Sequence, residues 1–266
     1  MDFGIKGKVA VITGGDSGMG KATAKLLAAE GVKIALIDRT KDELNTTATE
    51  IDKISEAIQV TADLTNLEQV EAAKQQILSH YGAVDILVNC AGITGSTKEF
   101  LELTDQDWYE TIDVDFMSAV RVCRAFIPSM QKQGWGRIVL IGSEDAVQPY
   151  TDEMPYCAAK AAVLNLTKNL SKAYAKDGIL INSVSPAYIA TPMTDAMMEK
   201  RAKEKGTSFD EAIKTFLKEE RPHLELHRRG EAEEVAAVIA FLCSQHSSFV
   251  VGANYRVDGG SVATVG

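Results

Sequence analysis

Val9-Ala10-Val11-Ile12-Thr13-Gly14-Gly15-Asp16-Ser17-Gly18-Met19-Gly20 is an apolar run of strand length that breaks into a glycine-rich turn, and a helical pattern follows from Lys21 to Glu30. A buried strand feeding such a turn and then a helix brings unsatisfied backbone N–H groups and the positive end of the helix dipole to one point. That point suits a pyrophosphate. Gly14, Gly18 and Gly20 would serve the tight turn, the approach of phosphate to backbone, and the packing of helix on strand. The spacing alone is weak evidence, because glycine turns between strand and helix are common. Lys33-Ile34-Ala35-Leu36-Ile37 strengthens it: this second buried strand ends in Asp38, 18 residues after Gly20, close to the ~20-residue offset at which an acid meets an adenosine ribose.

Working outward, apolar runs alternate with helical patterns along the chain, at 9–13, 33–37, 57–62, 84–89, 137–142, 179–185 and 254–257. Such alternation predicts an α/β fold, a doubly wound parallel sheet with helices on both faces. No linker, repeat or low-complexity tract divides the 266 residues, so one domain, 1–266, is expected. Asp63 and Leu64 follow the third run, and Asn66 reads as the cap of a helix carrying Leu67, Val70, Ala73 and Ile77. The fourth run leaves through Asn89-Cys90-Ala91-Gly92, small enough for a ligand to lie against the backbone. Trp108 to Lys132 reads as the longest helical stretch, with Ile112, Phe116, Ala119, Val120 and Cys123 on one apolar face that suits the core or a partner subunit.

Composition narrows the function classes. A formal charge of −9 argues against nucleic acid and anionic membranes as partners. No apolar run approaches the ~18 to 20 residues of a membrane span, and Met1 to Lys8 has no signal-like apolar region, so a cytoplasmic protein is expected. Cys90, Cys123, Cys157 and Cys243 are scattered, as reduced structural thiols are. His223 and His227 stand one turn apart but lack a third ligand, so no metal is expected.

The fifth run ends at Ser143, and a helix opens near Pro155, a residue favoured at the first helical position. Tyr156 and Lys160, four apart, project from one face of that helix. A phenol works as a base near neutrality only if its pKa of ~10 falls by about three units, or roughly 4 kcal/mol. The lysine ammonium supplies part of that, and a positive nicotinamide ring more. Ser143 would hold the substrate oxygen by hydrogen bond. A solvated surface pair and a strand-end cap are the plainer readings of these residues.

Taken together the motifs resemble those of the short-chain dehydrogenase/reductase family over essentially the whole chain. Thr13 to Gly20 matches TGxxxGxG, Asn89 to Gly92 resembles NNAG, Tyr156 to Lys160 matches YxxxK with Ser143 ahead of it, Asn182-Ser183-Val184-Ser185-Pro186 resembles NxVxPG, and Val257-Asp258-Gly259-Gly260 resembles the terminal VDGG. The resemblance implies a seven-stranded Rossmann-type sheet, NAD(P)-dependent interconversion of an alcohol and a carbonyl compound, and a homotetramer or homodimer. It implies that Ser143, Tyr156 and Lys160 are catalytic. It also implies that Gly14, Ser17, Gly18, Met19, Gly20, Asp38, Arg39, Asp63, Leu64, Asn89, Ala91, Gly92, Tyr156, Lys160, Ile189 and Thr191 hold the cofactor. Two residues depart from the pattern. Ala187 replaces the glycine of the PG pair, and Asp115 replaces the asparagine that usually holds a proton-relay water, which makes it a fourth catalytic candidate.

Residues 188–228 are expected to cover the substrate. Pro192 opens a shorter helix there and Ser208-Phe209-Asp210-Glu211 a capped one to about Glu220, while Met193, Met197, Met198, Phe209, Ile213, Phe216 and Leu217 offer apolar lining or pack the lid. The reading is an oxidoreductase moving a hydride between NAD(H) and a small or medium, largely apolar secondary alcohol or ketone, with NADP disfavoured by Asp38. A 3-oxoacyl-thioester reductase using NADPH and a non-catalytic dinucleotide-binding sensor or scaffold are the alternatives.

Overall fold

The computed structural model describes residues 2–265. Strands β1 (Val9–Thr13), β2 (Lys33–Asp38), β3 (Ala57–Thr61), β4 (Ile86–Asn89), β5 (Gly136–Ile141), β6 (Ile179–Pro186) and β9 (Asn254–Val257) form one sheet in the order β3-β2-β1-β4-β5-β6-β9. Every neighbouring pair in it is parallel. Successive side chains of a strand point to opposite faces. Ala10 and Ile12 therefore pack beneath α1 (Gly18–Ala29), α2 (Lys41–Asp52) and α9 (Ala232–Cys243), whereas Val9 and Val11 share the other core with α3 (Leu67–Tyr81), α5 (Ser118–Gln133) and α6 (Met154–Tyr174). Both faces being covered, the strands are near-continuous apolar runs, which is why the sequence located them within about two residues.

Three boundaries differ for physical reasons. The first helix starts at Gly18 rather than Lys21, since glycines carry no side chain to show a helical period. β4 begins at Ile86, because the buried Asp85 before it turns its carboxylate to the Val9 N–H at 2.9 Å and to Lys8 Nζ at 2.8 Å. Pro155 is the second residue of α6, after Met154. Asn66 caps α3 as expected, its Oδ1 accepting from Glu68 N at 2.9 Å and Gln69 N at 3.2 Å.

The long helical stretch is continuous but not uniform. Between α4 (Asp105–Ile112) and α5, residues Asp113–Met117 form a π-helical turn. Beyond β6, the two-residue strands β7 (Ile189–Ala190) and β8 (Gly230–Glu231) pair in parallel at the base of the segment expected to form the lid, which holds α7 (Pro192–Lys205) and α8 (Phe209–Glu220). The Pro192 helix, at 14 residues, is longer than the 12-residue α8, not shorter. Among the described residues no helix is long and apolar enough to cross a membrane.

Candidate active site

In this strand order the chain turns back between β1 and β4, and a ligand of an open parallel sheet lies at the carboxyl ends of the strands beside such a reversal. A cleft of about 290 Å³ lies there. Gly14, Ser17, Gly18, Met19 and Gly20 line it from the first turn, and Asp38 and Arg39 line it from the end of β2. Asp63, Leu64, Ala91, Gly92 and Thr191 complete the expected set. A Cβ on Gly20 would run into the Gly14 carbonyl oxygen, so the glycine lets α1 begin directly on the turn. Ser17 precedes α1 but makes no side-chain cap bond, since its hydroxyl donates to Asp16 Oδ1 at 2.9 Å. The first-turn amides are thereby left for a ligand. These residues suit a dinucleotide: a glycine cradle, an uncapped helix end, and an acid at the ribose offset.

Four residues expected around the cofactor lie off this cleft. Asn89 is 2% exposed and accepts from Thr13 Oγ1 at 2.8 Å, fastening β1 to β4 at the reversal. Ile189 is buried in the β7–β8 ladder, and Tyr156 and Lys160 stand farther along, on α6. Conversely, Asp16, Val114 and Ser118 line the cleft without having been singled out, and so do Cys90 of the β4 exit and Met193, which was expected as apolar lid lining. Asp16 sat inside the glycine-rich stretch and its charge was the available signal. Burial and the nearby Asp16 carboxylate raise the Asp38 pKa, while the amides of Arg39 and Thr40 oppose them.

Ser143 leaves β5 in extended conformation. Its Oγ accepts from Asp145 N at 3.2 Å and donates to Asp145 Oδ1 at 3.0 Å. Tyr156 and Lys160 share a face of α6, the lysine Nζ being 5.4 Å from the phenol ring centre. That Nζ is buried, donates to the Ile141 carbonyl at 3.2 Å, and lies 3.6 Å from Asp115 Oδ1. Asp115 is carried by the π turn and is 1% exposed; its Oδ1 also accepts from Ile93 N at 3.0 Å, and its Oδ2 has no partner. Asp115 therefore meets the lysine directly and caps a backbone amide as well. A Cβ on Gly92 would stand 2.5 Å from that Oδ1, which ties the last glycine of the β4 exit to this contact.

The electrostatics depart from the simple expectation that Lys160 lowers the Tyr156 pKa. Burial first, then the Asp145 and Asp115 carboxylates, push the phenol well above its ordinary value, and contact with Ser143 opposes them. Burial likewise raises Asp115, against the pull of Lys160. In the protein alone the lysine charge is answered by Asp115, so Tyr156 is held as the neutral phenol.

A group of acids around Ser143 was not foreseen. Glu144, Asp145 and Glu153 are all buried, and Arg221, at the end of α8, reaches Glu153 Oε1 at 3.3 Å and Glu144 Oε1 at 3.7 Å while stacking on Tyr150 at 3.6 Å. Burial lifts Glu144 to about 7 and Glu153 to about 8. The run Ser143-Glu144-Asp145 at a strand end was the signal for two of them. The apolar lining expected from the lid is correspondingly reduced, because Met198, Phe216 and Leu217 pack with Tyr188 and Leu224 into a small core of the lid itself. Met193 and Phe209 are exposed.

A parallel sheet of this order, a glycine-cradled cleft at its reversal and a Ser-Tyr-Lys set just after β5 and on α6 are the features of a dinucleotide-binding oxidoreductase. The family profile described as short chain dehydrogenase matches residues 8–202. The chain is 33% identical to an oxidoreductase of Bacillus subtilis, YvrD, over 100% of both chains. It is 34% identical to the 3-oxoacyl-[acyl-carrier-protein] reductase FabG of Thermotoga maritima, over 97% of this chain and 99% of that one. The L-sorbose reductase of Gluconobacter frateurii, solved with NADPH and L-sorbose, superposes with a TM-score of 0.95 at 36% identity over 100% of both chains. The chain belongs to the short-chain dehydrogenase/reductase family.

Proposed function

We propose that this oxidoreductase interconverts a secondary alcohol and a ketone with NAD(H), using Ser143, Tyr156 and Lys160. The observation that carries this reading is the contact of Tyr156 with Ser143, with Lys160 one turn along α6 beside the phenol and bonded to the Ile141 carbonyl at the end of β5. The bound nicotinamide would supply or take the hydride. Tyr156 gives its phenolic proton to the carbonyl oxygen in reduction and recovers it in oxidation. Ser143 fixes that oxygen, and Lys160 holds its charge one turn from the phenol. In reduction a raised phenol pKa is no obstacle, since the proton must be present to be given.

NAD is favoured over NADP because Asp38 and Asp16 set two carboxyls where a 2′-phosphate would lie. The exposed Arg39 pulls the other way, and the NADPH bound by the sorbose reductase shows that the fold also accommodates the phosphate. That residue and the FabG relative support a second reading, 3-oxoacyl-thioester reduction with NADPH. A clash of partly buried like charges outweighs an exposed arginine, so kcat/KM should favour NADH by at least about tenfold, or roughly 1.4 kcal/mol. Equal values for the two nucleotides would defeat the preference. Tyr156→Phe should abolish turnover while leaving nucleotide affinity nearly unchanged, and a variant that kept most of its activity would remove Tyr156 as proton donor.

A further inference from the structure

We infer that the substrate carries a hydroxyl group on the carbon next to its carbonyl, and that Asp145 recognises it. The inference rests on the oxidoreductase reading above and names the substrate class of that site.

A serine hydroxyl has one proton to give. Here Ser143 gives it to Asp145 Oδ1 at 3.0 Å, while Asp145 N donates back to Ser143 Oγ at 3.2 Å. In that arrangement Ser143 offers an incoming ligand only lone pairs. A plain ketone oxygen is also an acceptor, so Ser143 can hold it only by leaving Asp145. Asp145 is 5% exposed and shares a hydrogen bond with the Glu153 carboxyl, so a departing Ser143 would leave it one donor short in a place bulk water hardly reaches. Losing a hydrogen bond to a buried charged group is costly.

A hydroxyl on the adjacent carbon removes that cost. It donates to Asp145 in place of Ser143, and the serine proton turns to the carbonyl oxygen beside it. The exchange leaves every proton bonded and changes no covalent bond: the hydride still goes to the carbonyl carbon, the Tyr156 proton to its oxygen, and the neighbouring hydroxyl emerges intact. Asp145 is then a substrate-binding residue that also positions Ser143.

A second observation points to a polar substrate. Glu144 Oε2 and Tyr188 Oη are buried without hydrogen bonds, and Arg221 Nε meets Glu144 Oε1 only at the ion-pair distance of 3.7 Å. Arg221 lies 3.7 Å from Glu144 and 5.1 Å from the Phe216 ring that packs on Tyr188, so the three belong to one neighbourhood. Orphan donors and acceptors of this kind are what further hydroxyls of a substrate would satisfy. A cationic substrate is the poorer match, because Arg221 already sits among these acids.

The test compares 1-hydroxy-2-butanone with 2-butanone, which differ by the one hydroxyl, for the wild type, Asp145→Ala and Asp145→Asn at saturating NADH and, separately, NADPH. Wild-type kcat/KM should favour the hydroxyketone by at least about tenfold, and this ratio should fall by about 10- to 100-fold in Asp145→Ala and by less in Asp145→Asn, which keeps an acceptor. The inherent reactivity of a hydroxyketone and any loss of folded protein cancel when ratios are compared. A wild-type ratio near one, or a ratio unchanged in Asp145→Ala, overturns the inference and leaves the oxidoreductase reading standing. Should Asp145→Ala fail to fold, Asp145→Asn takes its place: its ratio should still fall below that of the wild type, and an unchanged ratio overturns the inference. If NADH binds, as followed by nucleotide fluorescence, yet neither ketone nor 1,2-butanediol nor 2-butanol is turned over with either nucleotide, the oxidoreductase reading falls and the inference with it.

Discussion

A carboxylate 3.6 Å from Lys160 Nζ changes what that lysine can do for the phenol one turn away. The field of the ammonium favours phenolate, and that of Asp115 cancels part of it. In the proposed mechanism alcohol oxidation uses Tyr156 as a base, so anything that raises its pKa moves the pH dependence of oxidation upward. Asp115 is among the charges that raise it. Asp115→Asn should therefore shift the kcat/KM profile for oxidation toward lower pH, with nucleotide affinity unchanged. Because Tyr156 sits among several interacting charges, the profile reports apparent values of the set. Superimposable profiles, or an alkaline shift in the variant, would remove Asp115 from the proton path. The departure from the family's asparagine was visible in the sequence. The direct contact with Lys160 was not, because it depends on the local winding of the helix.

At the scale of elements, the tie between α8 and the loop after β5 is the part least legible beforehand. Arg221 meets Glu144 and Glu153 across a long stretch of chain, and no periodicity reports such a pairing. The seven strands were legible because buried parallel strands are written as apolar runs, and α3 because its cap and its apolar spacing agree. The tie has a consequence for stability. An acid whose pKa is higher in the folded state than in the unfolded one holds its proton longer in the fold. Its contribution is complete below the unfolded value and is lost as pH rises to the folded one. For Glu153 that window runs from 4.5 to about 8, and for Glu144 from 4.5 to about 7. Thermal stability should thus decline between about pH 4.5 and 8 by an amount on the order of a few kcal/mol. Glu153→Gln should flatten that decline in melting temperature. An equally steep decline in the variant would place the pH dependence elsewhere.

For the molecule as a whole, α4, α5 and α6 lie next to one another on one side of the sheet and keep several apolar residues half-buried, among them Ile112, Phe116 and Val120. We expect this side to meet a second copy, giving a dimer or tetramer, and sedimentation showing a monomer at micromolar concentration would rule that out. The same helical run has to satisfy two demands set at different angles around its axis. Val122, Cys123, Phe126 and Met130 must face the sheet, while Asp115 must face Lys160. A straight α-helix advances about 100° per residue, and no choice of starting point brings both sets into place unless their spacing happens to agree. The π turn at Asp113–Met117 works as a phase shifter, taking up one extra residue before the winding resumes. The positions from 118 onward are indexed to the sheet and those before it to Lys160. The two halves of one continuous helix can therefore vary in sequence under separate rules, while the number of residues between them cannot vary at all.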